Sequence, residues 1–271
     1  MLESSLQATV LAVACLSGGS GKTTTVLNLA TMLSERGKTL AVDFDPQGNL
    51  SQWLGISDLS DSATIAETIL PDTDRVRVAD IIQPPANEER YGRLFLAPSD
   101  YSLSRAADAI AMEPGRERFL KRALKPVFPD YEFIVIDSPP SKGILTYNAI
   151  LTADFLVIPT ECTPKGVMGA VSTVILVKEL EELDFKVPKI LGVVPTRDQW
   201  SGANQTRMSK AAIAALKEAL KDVHIFSSVR QSTTVQHTNH HGWSLLEVGE
   251  KSLAKAYIEV IELLMGAIVH V

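Results

Sequence analysis

The chain is predicted to fold as an α/β protein, a mostly parallel twisted sheet with helices on both faces. Three observations predict it: short, largely apolar runs recur along its 271 residues, helical patterns fill the gaps between them, and several of the runs end in an acid or a proline. An apolar run without alternation is what a parallel strand shows when both its faces are buried. Strand and helix in alternation build βαβ units with right-handed crossovers. The length suits one sheet with one set of crossovers, so residues 1–271 read as a single domain.

The first strand lies within Ala8–Leu16, which is free of charge and rich in β-formers. Its apolar run could pass for a secretory h-region. A signal peptide needs a positive n-region, however, and the first basic residue of the chain is Lys22, so the strand reading stands. Thr23–Arg36 follows with Val26, Leu27, Leu29, Ala30 and Leu33 at helical spacing and Gly37 placed to end the helix. Thr39–Asp43, Leu94–Pro98, Phe133–Asp137, Phe155–Pro159 and Ile190–Pro195 are the next strands. Helices are expected over Val167–Leu183, Asn204–Leu220 and Ser252–Met265, with short helices and loops over 56–93, around Pro84-Pro85. No stretch reaches the roughly 18 apolar residues of a membrane span.

Between the first strand and the first helix stands Ser17-Gly18-Gly19-Ser20-Gly21-Lys22-Thr23-Thr24. A strand that empties into a glycine loop ending in Lys-Thr builds a phosphate cradle, because glycines let backbone N–H groups converge on oxygens. Lys22 is expected to reach the β- and γ-phosphates of ATP and Thr23 to hold Mg2+. Asp137 closes a strand beside this loop, where a carboxylate can accept from magnesium-bound water. Asp43 and Asp45, in Asp43-Phe44-Asp45-Pro46-Gln47-Gly48-Asn49, project to one side of an extended backbone. Asp43 is assigned to the metal shell. Asp45 also belongs to the metal set and is the residue that orients or deprotonates the attacking water, with Lys22 the second catalytic residue.

Composition narrows the classes. The net charge of −6 argues against a surface coated for nucleic acid, and two cysteines far apart, Cys15 and Cys162, offer neither a metal spacing nor a disulfide framework and suit a reducing cytoplasm. The segment 186–230 nevertheless carries eight basic residues against three acids, so positive charge is concentrated there. Phosphate contact without base reading needs no more than such a patch. Arg207, Lys210, Lys217, Lys221 and Arg230 are the expected contacts to duplex DNA. His237, His240 and His241 lack a third ligand type nearby and read as a polar surface loop.

The phosphate loop, the Asp43–Asn49 segment, and Asp137-Ser138-Pro139-Pro140-Ser141 with Asn148 beyond it resemble, in this order, the ParA/MinD family of deviant Walker A ATPases. Arg230–Leu246 and the terminal helix through Tyr257 are similar to the ParA C-terminal region, so the resemblance covers nearly the whole chain. It implies a P-loop ATPase that dimerises face to face around two ATP molecules with Mg2+, binds nonspecific double-stranded DNA in that state, and is released by an adaptor or activator of ParB or McdB type. A cytoplasmic, nucleoid-associated protein without a membrane cycle is implied with it. Pro195 and Thr196, at the exit of the last strand, are added to the nucleotide contacts.

The family's loop begins with a second lysine that crosses the dimer to the partner's phosphates, and here Ser17 stands in its place. A hydroxyl cannot supply that positive charge. Lys165 in Thr163-Pro164-Lys165-Gly166 and Lys142 lie at carboxyl edges of strands, and Lys165 is preferred because a Pro-Lys-Gly turn presents its side chain free of a helix face. A ParA-like chain with serine there is similar to the subgroup that spaces carboxysomes along the nucleoid. Two other classes remain open. A MinD-like membrane cycle needs a basic amphipathic tail, whereas Tyr257–Met265 is acidic where it is not apolar. A metabolic ATP-dependent ligase or a reductase would need a small substrate or a cluster-binding cysteine pair.

Overall fold

A computed structural model of the chain describes residues 8–71 and 76–268. Six parallel strands form one sheet: β1 (Thr9–Val13), β2 (Thr39–Asp43), β3 (Leu94–Ala97), β4 (Phe133–Asp137), β5 (Phe155–Glu161) and β6 (Lys189–Thr196), in the order β3-β2-β4-β1-β5-β6. The strand runs are unbroken because both faces are covered. In β1, Val10 and Ala12 join one buried cluster while Leu11 and Val13 join the other.

One face carries α1 (Lys22–Ser34), the short α2 (Asn49–Trp53) and the C-terminal helix. Between β2 and β3 lie three one-turn helices, α3 (Ile65–Thr68), α4 (Val78–Ile81) and α5 (Glu88–Tyr91). The opposite face carries α6 (Ser102–Ile110), α7 (Phe119–Leu124), α8 (Ile144–Thr152), α9 (Pro164–Glu182) and α10 (Arg207–Ala219). The last helices are α11 (Thr233–His240) and α12 (Lys251–Ile268). The terminal helix packs on α1 and β6 through Leu253, Tyr257, Val260, Ile261 and Leu264, as its acidic and apolar pattern requires. No described helix is long and apolar enough to cross a membrane.

Two expectations are corrected. The histidine segment is not a loop: Ser232 accepts from Thr234 N–H to cap α11, and Gly242 at φ +66° ends it, with Trp243 N–H donating to Thr238 O at 2.8 Å. No group of three metal-ligating side chains occurs among the described residues. Lys165 is not on a free turn either. Thr163 accepts from Gly166 N–H, Pro164 takes the first helical position, and Lys165 sits in the first turn of α9.

The topology places the site. β1 lies between β4 and β5, so successive connections leave toward opposite edges of the sheet and a crevice opens at the carboxyl ends of the central strands.

Candidate nucleotide site

The loop after β1 passes through two left-handed glycines, Gly19 (φ +76°) and Gly21 (φ +85°), and enters α1 with no side-chain cap and no acid in its first turn. The first N–H groups of that helix are therefore free for an anion. Gly18 to Thr24 line a cleft of about 460 Å³ together with Asp45, Gln47, Asn49, Trp53, Pro140, Arg197, Gln236, Asn239 and His240. Lys22 folds back, donating to the carbonyls of Ser17 at 3.2 Å and Cys15 at 3.4 Å. Burial pulls its pKa down, while Asp137, Cys15 and Asp45 oppose the shift.

The two strand-tip carboxylates lie behind the cleft wall. Asp43 and Asp137 are partners in the β2–β4 register and both are fully buried. Asp43 Oδ2 accepts from Ser51 N and Ser51 Oγ, each at 2.8 Å. Neither oxygen of Asp137 has a hydrogen-bond donor. Burial pushes Asp137 well above the usual carboxylate range, the Asp43 charge adds to this, and the Thr23 hydroxyl and Lys22 ammonium pull the other way. A buried carboxylate without a donor, beside a threonine at the phosphate loop, fits a divalent cation.

Asp45 reaches the cleft itself. Its Oδ1 accepts from Gln47 N at 3.0 Å, and its carbonyl accepts from Ser99 Oγ at 3.0 Å. Ser99 N donates to Ser51 Oγ at 3.0 Å, so one chain of bonds joins Asp43, Ser51, Ser99 and Asp45.

A second cavity of about 150 Å³ adjoins the first and is lined by Gly21, Thr24, Thr196, Val229, Gln231 and Tyr257 among others. Thr196 Oγ1 donates to Ser20 O at 2.8 Å, which ties the end of β6 to the loop. Asn239 Nδ2 donates to Thr24 Oγ1 at 2.7 Å and leaves its own buried Oδ1 without a partner. Tyr257 Oη is also unpartnered. Pro195 lies inside β6 against Thr160 and lines neither cavity.

Ser17 is buried and does not line the cleft, for α9 closes over it: a Cβ on Gly169 would stand 2.5 Å from Ser17 Cβ. Lys142 pairs with Glu179 at 2.7 Å on the surface. Neither Lys142 nor Lys165 lines either cavity. Asn148 braces α7 and α8 instead of meeting the cleft, accepting from Leu120 N at 2.9 Å and donating to Arg116 O at 2.7 Å. Residues unforeseen at the cleft are Trp53, Arg197, Gln236, Asn239 and His240. The capping serine at 232 and the glycine at 242 were the available signal for the helix that carries three of them.

Four of the five expected DNA contacts share a surface. Arg207, Lys210, Lys217 and Lys221 fall on one side of α10 and the turn after it, all exposed, opposite the buried Ser209, Ala212 and Leu216. Arg230, the fifth, lines the smaller cavity beside the nucleotide cleft and lies over the Trp200 ring at 4.4 Å. Asp198 holds Trp200 in place, accepting from its Nε1 at 2.9 Å.

Comparison with known proteins identifies the family. A family model described as an AAA domain matches residues 8–188. The maintenance of carboxysome distribution protein A of Gloeothece citriformis is 38% identical, covering 94% of this chain and 96% of its own. The sporulation initiation inhibitor protein Soj of Bacillus subtilis is 36% identical over 67% of this chain and 71% of its own. The structure of an aspartate-to-alanine variant of Cyanothece McdA in complex with ATP superposes with a TM-score of 0.89 at 37% identity, covering 95% of this chain and 96% of that one. The chain belongs to the AAA-domain family of ParA-type P-loop ATPases, alongside the carboxysome-distribution and partitioning proteins it resembles.

Proposed function

We propose that this ATPase works as a positioning motor: with ATP and Mg2+ bound it pairs face to face, holds duplex DNA without reading its sequence, and is discharged by a stimulating partner on a cargo, a carboxysome before a plasmid or chromosome. The observation that carries the DNA step is the basic stripe of α10. Its three cations, Arg207, Lys210 and Lys217, extend about 15 Å along the axis at 1.5 Å per residue, on the side away from the core, with Lys221 in the turn beyond. A stripe that contacts phosphates alone binds any sequence, and pairing two copies doubles the charge that meets the duplex.

At the cleft, Thr23 and Asp137 would hold magnesium, which supplies charge neutralisation between phosphate oxygens, with Asp43 anchoring the loop behind them. Lys22 leaves the carbonyls of Cys15 and Ser17 for the phosphates. Asp45 orients a water for in-line attack and takes its proton. Thr196, Asn239 and the smaller cavity receive the nucleoside, with the free Asn239 Oδ1 available to a base amine or a ribose hydroxyl. Lys165 stands in the first turn of α9, the helix that closes over Ser17 at Gly169, and is the cation offered to the partner's nucleotide.

Fluorescence anisotropy on a random-sequence duplex tests the DNA step. Binding is expected with Mg–ATP and not with Mg–ADP, falling steeply with salt, and Lys210→Ala with Lys217→Ala should flatten the salt slope by about two phosphate contacts. Binding indifferent to salt or nucleotide, or turnover stimulated by a small metabolite instead of DNA and a partner protein, would reject this reading. Lys165→Ala is expected to abolish ATP-dependent dimerisation in sedimentation while leaving one-to-one nucleotide binding intact.

A further inference from the structure

Arg197 directly follows β6, and its backbone is left-handed, φ +49°, a region that glycine enters freely and other residues rarely. Aspartate and asparagine visit that region for local hydrogen bonds; an arginine there points to function at the position. The conformation carries the side chain back over the phosphate loop. Its Nη1 would stand 3.6 Å from a Cβ on Gly19, an ordinary van der Waals distance, so the guanidinium lies directly over the loop. The preceding residue is already tied to the loop through Thr196 Oγ1 and Ser20 O, so the arm springs from a fixed base.

Of the residues lining the phosphate cleft, Lys22 and Arg197 carry fixed positive charge. Arg197 also lines the smaller cavity beside it, and so stands where the two spaces meet. Its ion pair is a loose one, 3.8 Å to Glu161 Oε1 at the exit of β5, with about half of the side chain exposed. An exposed pair of that length holds the guanidinium weakly and leaves most of its donors free.

We infer that Arg197 is a same-chain cation for the bound phosphate chain: on nucleotide binding it exchanges the Glu161 carboxylate for phosphate oxygens. A guanidinium offers a planar fork of donors that suits phosphate and remains charged at any working pH. It makes up, within one protomer, part of the charge that Ser17 does not provide, whereas Lys165 is offered across the dimer. The inference rests on the ATP site described above.

The test is Mg–ATP and Mg–ADP binding by calorimetry, with melting of the ligand-free chain and sedimentation alongside, for wild type, Arg197→Ala, Arg197→Lys, Arg197→Gly and Glu161→Gln. Arg197→Ala is expected to weaken Mg–ATP binding at least tenfold, and Arg197→Lys to restore only part of it, because an ammonium is a point charge. Arg197→Gly should lose the same affinity while melting no lower than wild type, since glycine accepts the positive φ. Glu161→Gln should tighten binding by freeing the arginine.

Unchanged affinity in Arg197→Ala, beside normal wild-type binding, overturns the inference alone. So does an Arg197→Gly chain whose lost affinity comes with a lower melting temperature, which would make the residue a structural brace. Intact one-to-one binding with loss of the dimer would assign the arginine to the partner's nucleotide and overturn the same-chain role. A wild-type chain that takes up no Mg–ATP overturns the ATP site itself, and this inference with it.

Discussion

Asp43 and Asp137 end neighbouring strands, face each other in register, and are both buried, yet one accepts two short hydrogen bonds from Ser51 and the other accepts none. The difference comes from the segment after each strand. Beyond β2 the chain turns through Gly48, where a Cβ would meet Ser99 O at 2.7 Å, into α2, and Ser51 from that helix closes on Asp43. Beyond β4 it runs out through Ser138-Pro139-Pro140, and the Ser138 hydroxyl donates away, to Val13 O at 3.0 Å. Two acids that look alike at strand tips thus differ in what they hold. Asp43 is tied to α2 through Ser51, and the proposed division of work assigns the cation to Asp137.

The largest effect that could break this division is expected at Asp137. Asp137→Ala should lower ATP turnover by about 100-fold or more, the scale of losing one preorganised charge at a reacting phosphate. It should also remove the magnesium dependence of nucleotide binding without lowering the melting temperature of the ligand-free chain, because a buried carboxylate without donors costs stability. A variant that melts lower and still binds nucleotide in a magnesium-dependent way would show Asp137 to be the structural member of the pair.

Asp43→Ala comes next and should act on stability first. It leaves the Ser51 N–H and hydroxyl without their acceptor, at a cost of about 1–3 kcal/mol, or roughly 2–4 °C of melting temperature for each kcal/mol in a chain of this class. Calorimetric melting checks this. Loss of activity at full stability would move Asp43 into the metal shell itself.

The smallest effect is one of pH. Burial pushes Asp43 up to about 7, against the bonds from Ser51, from a usual 3.8. Between those values the folded chain holds a proton that the unfolded chain has released, so the stability this group contributes is present at about pH 4 and is lost as pH rises through about 7. Melting curves of the ligand-free chain should therefore fall over that interval, and Asp43→Asn should lessen the fall, with the raised Asp137 carrying the remainder. An unaltered pH profile in Asp43→Asn would show that Asp137 alone carries the proton.

Much of this is legible in the residues. The strands are, because burial on both faces leaves unbroken apolar runs: Thr39–Asp43 and Phe133–Asp137 have the bounds that the sequence predicts. The phosphate loop is, because only a narrow set of residues places amides and a lysine around an oxyanion. The Ser51–Ser99 relay is not. Its members lie 48 positions apart and neither serine belongs to a pattern. Lys165 stands at the strand exit the sequence predicts, but the Thr163 cap and Pro164 wind it into α9 where a free turn is expected. The histidines mislead because a polar composition masks the Ser232 and Gly242 that bracket a helix.

The sequence by itself determined the parallel sheet, the phosphate loop and the acids at the strand tips, since each follows from local periodicity or from the stereochemistry of a few adjacent residues. Tertiary structure alone decided which acid is satisfied, why Ser17 lies closed beneath Gly169, and that Arg197 reaches over Gly19. Those are contacts between segments far apart in the chain. Their distances are set by how the helices settle on the sheet, and no spacing along the sequence encodes them.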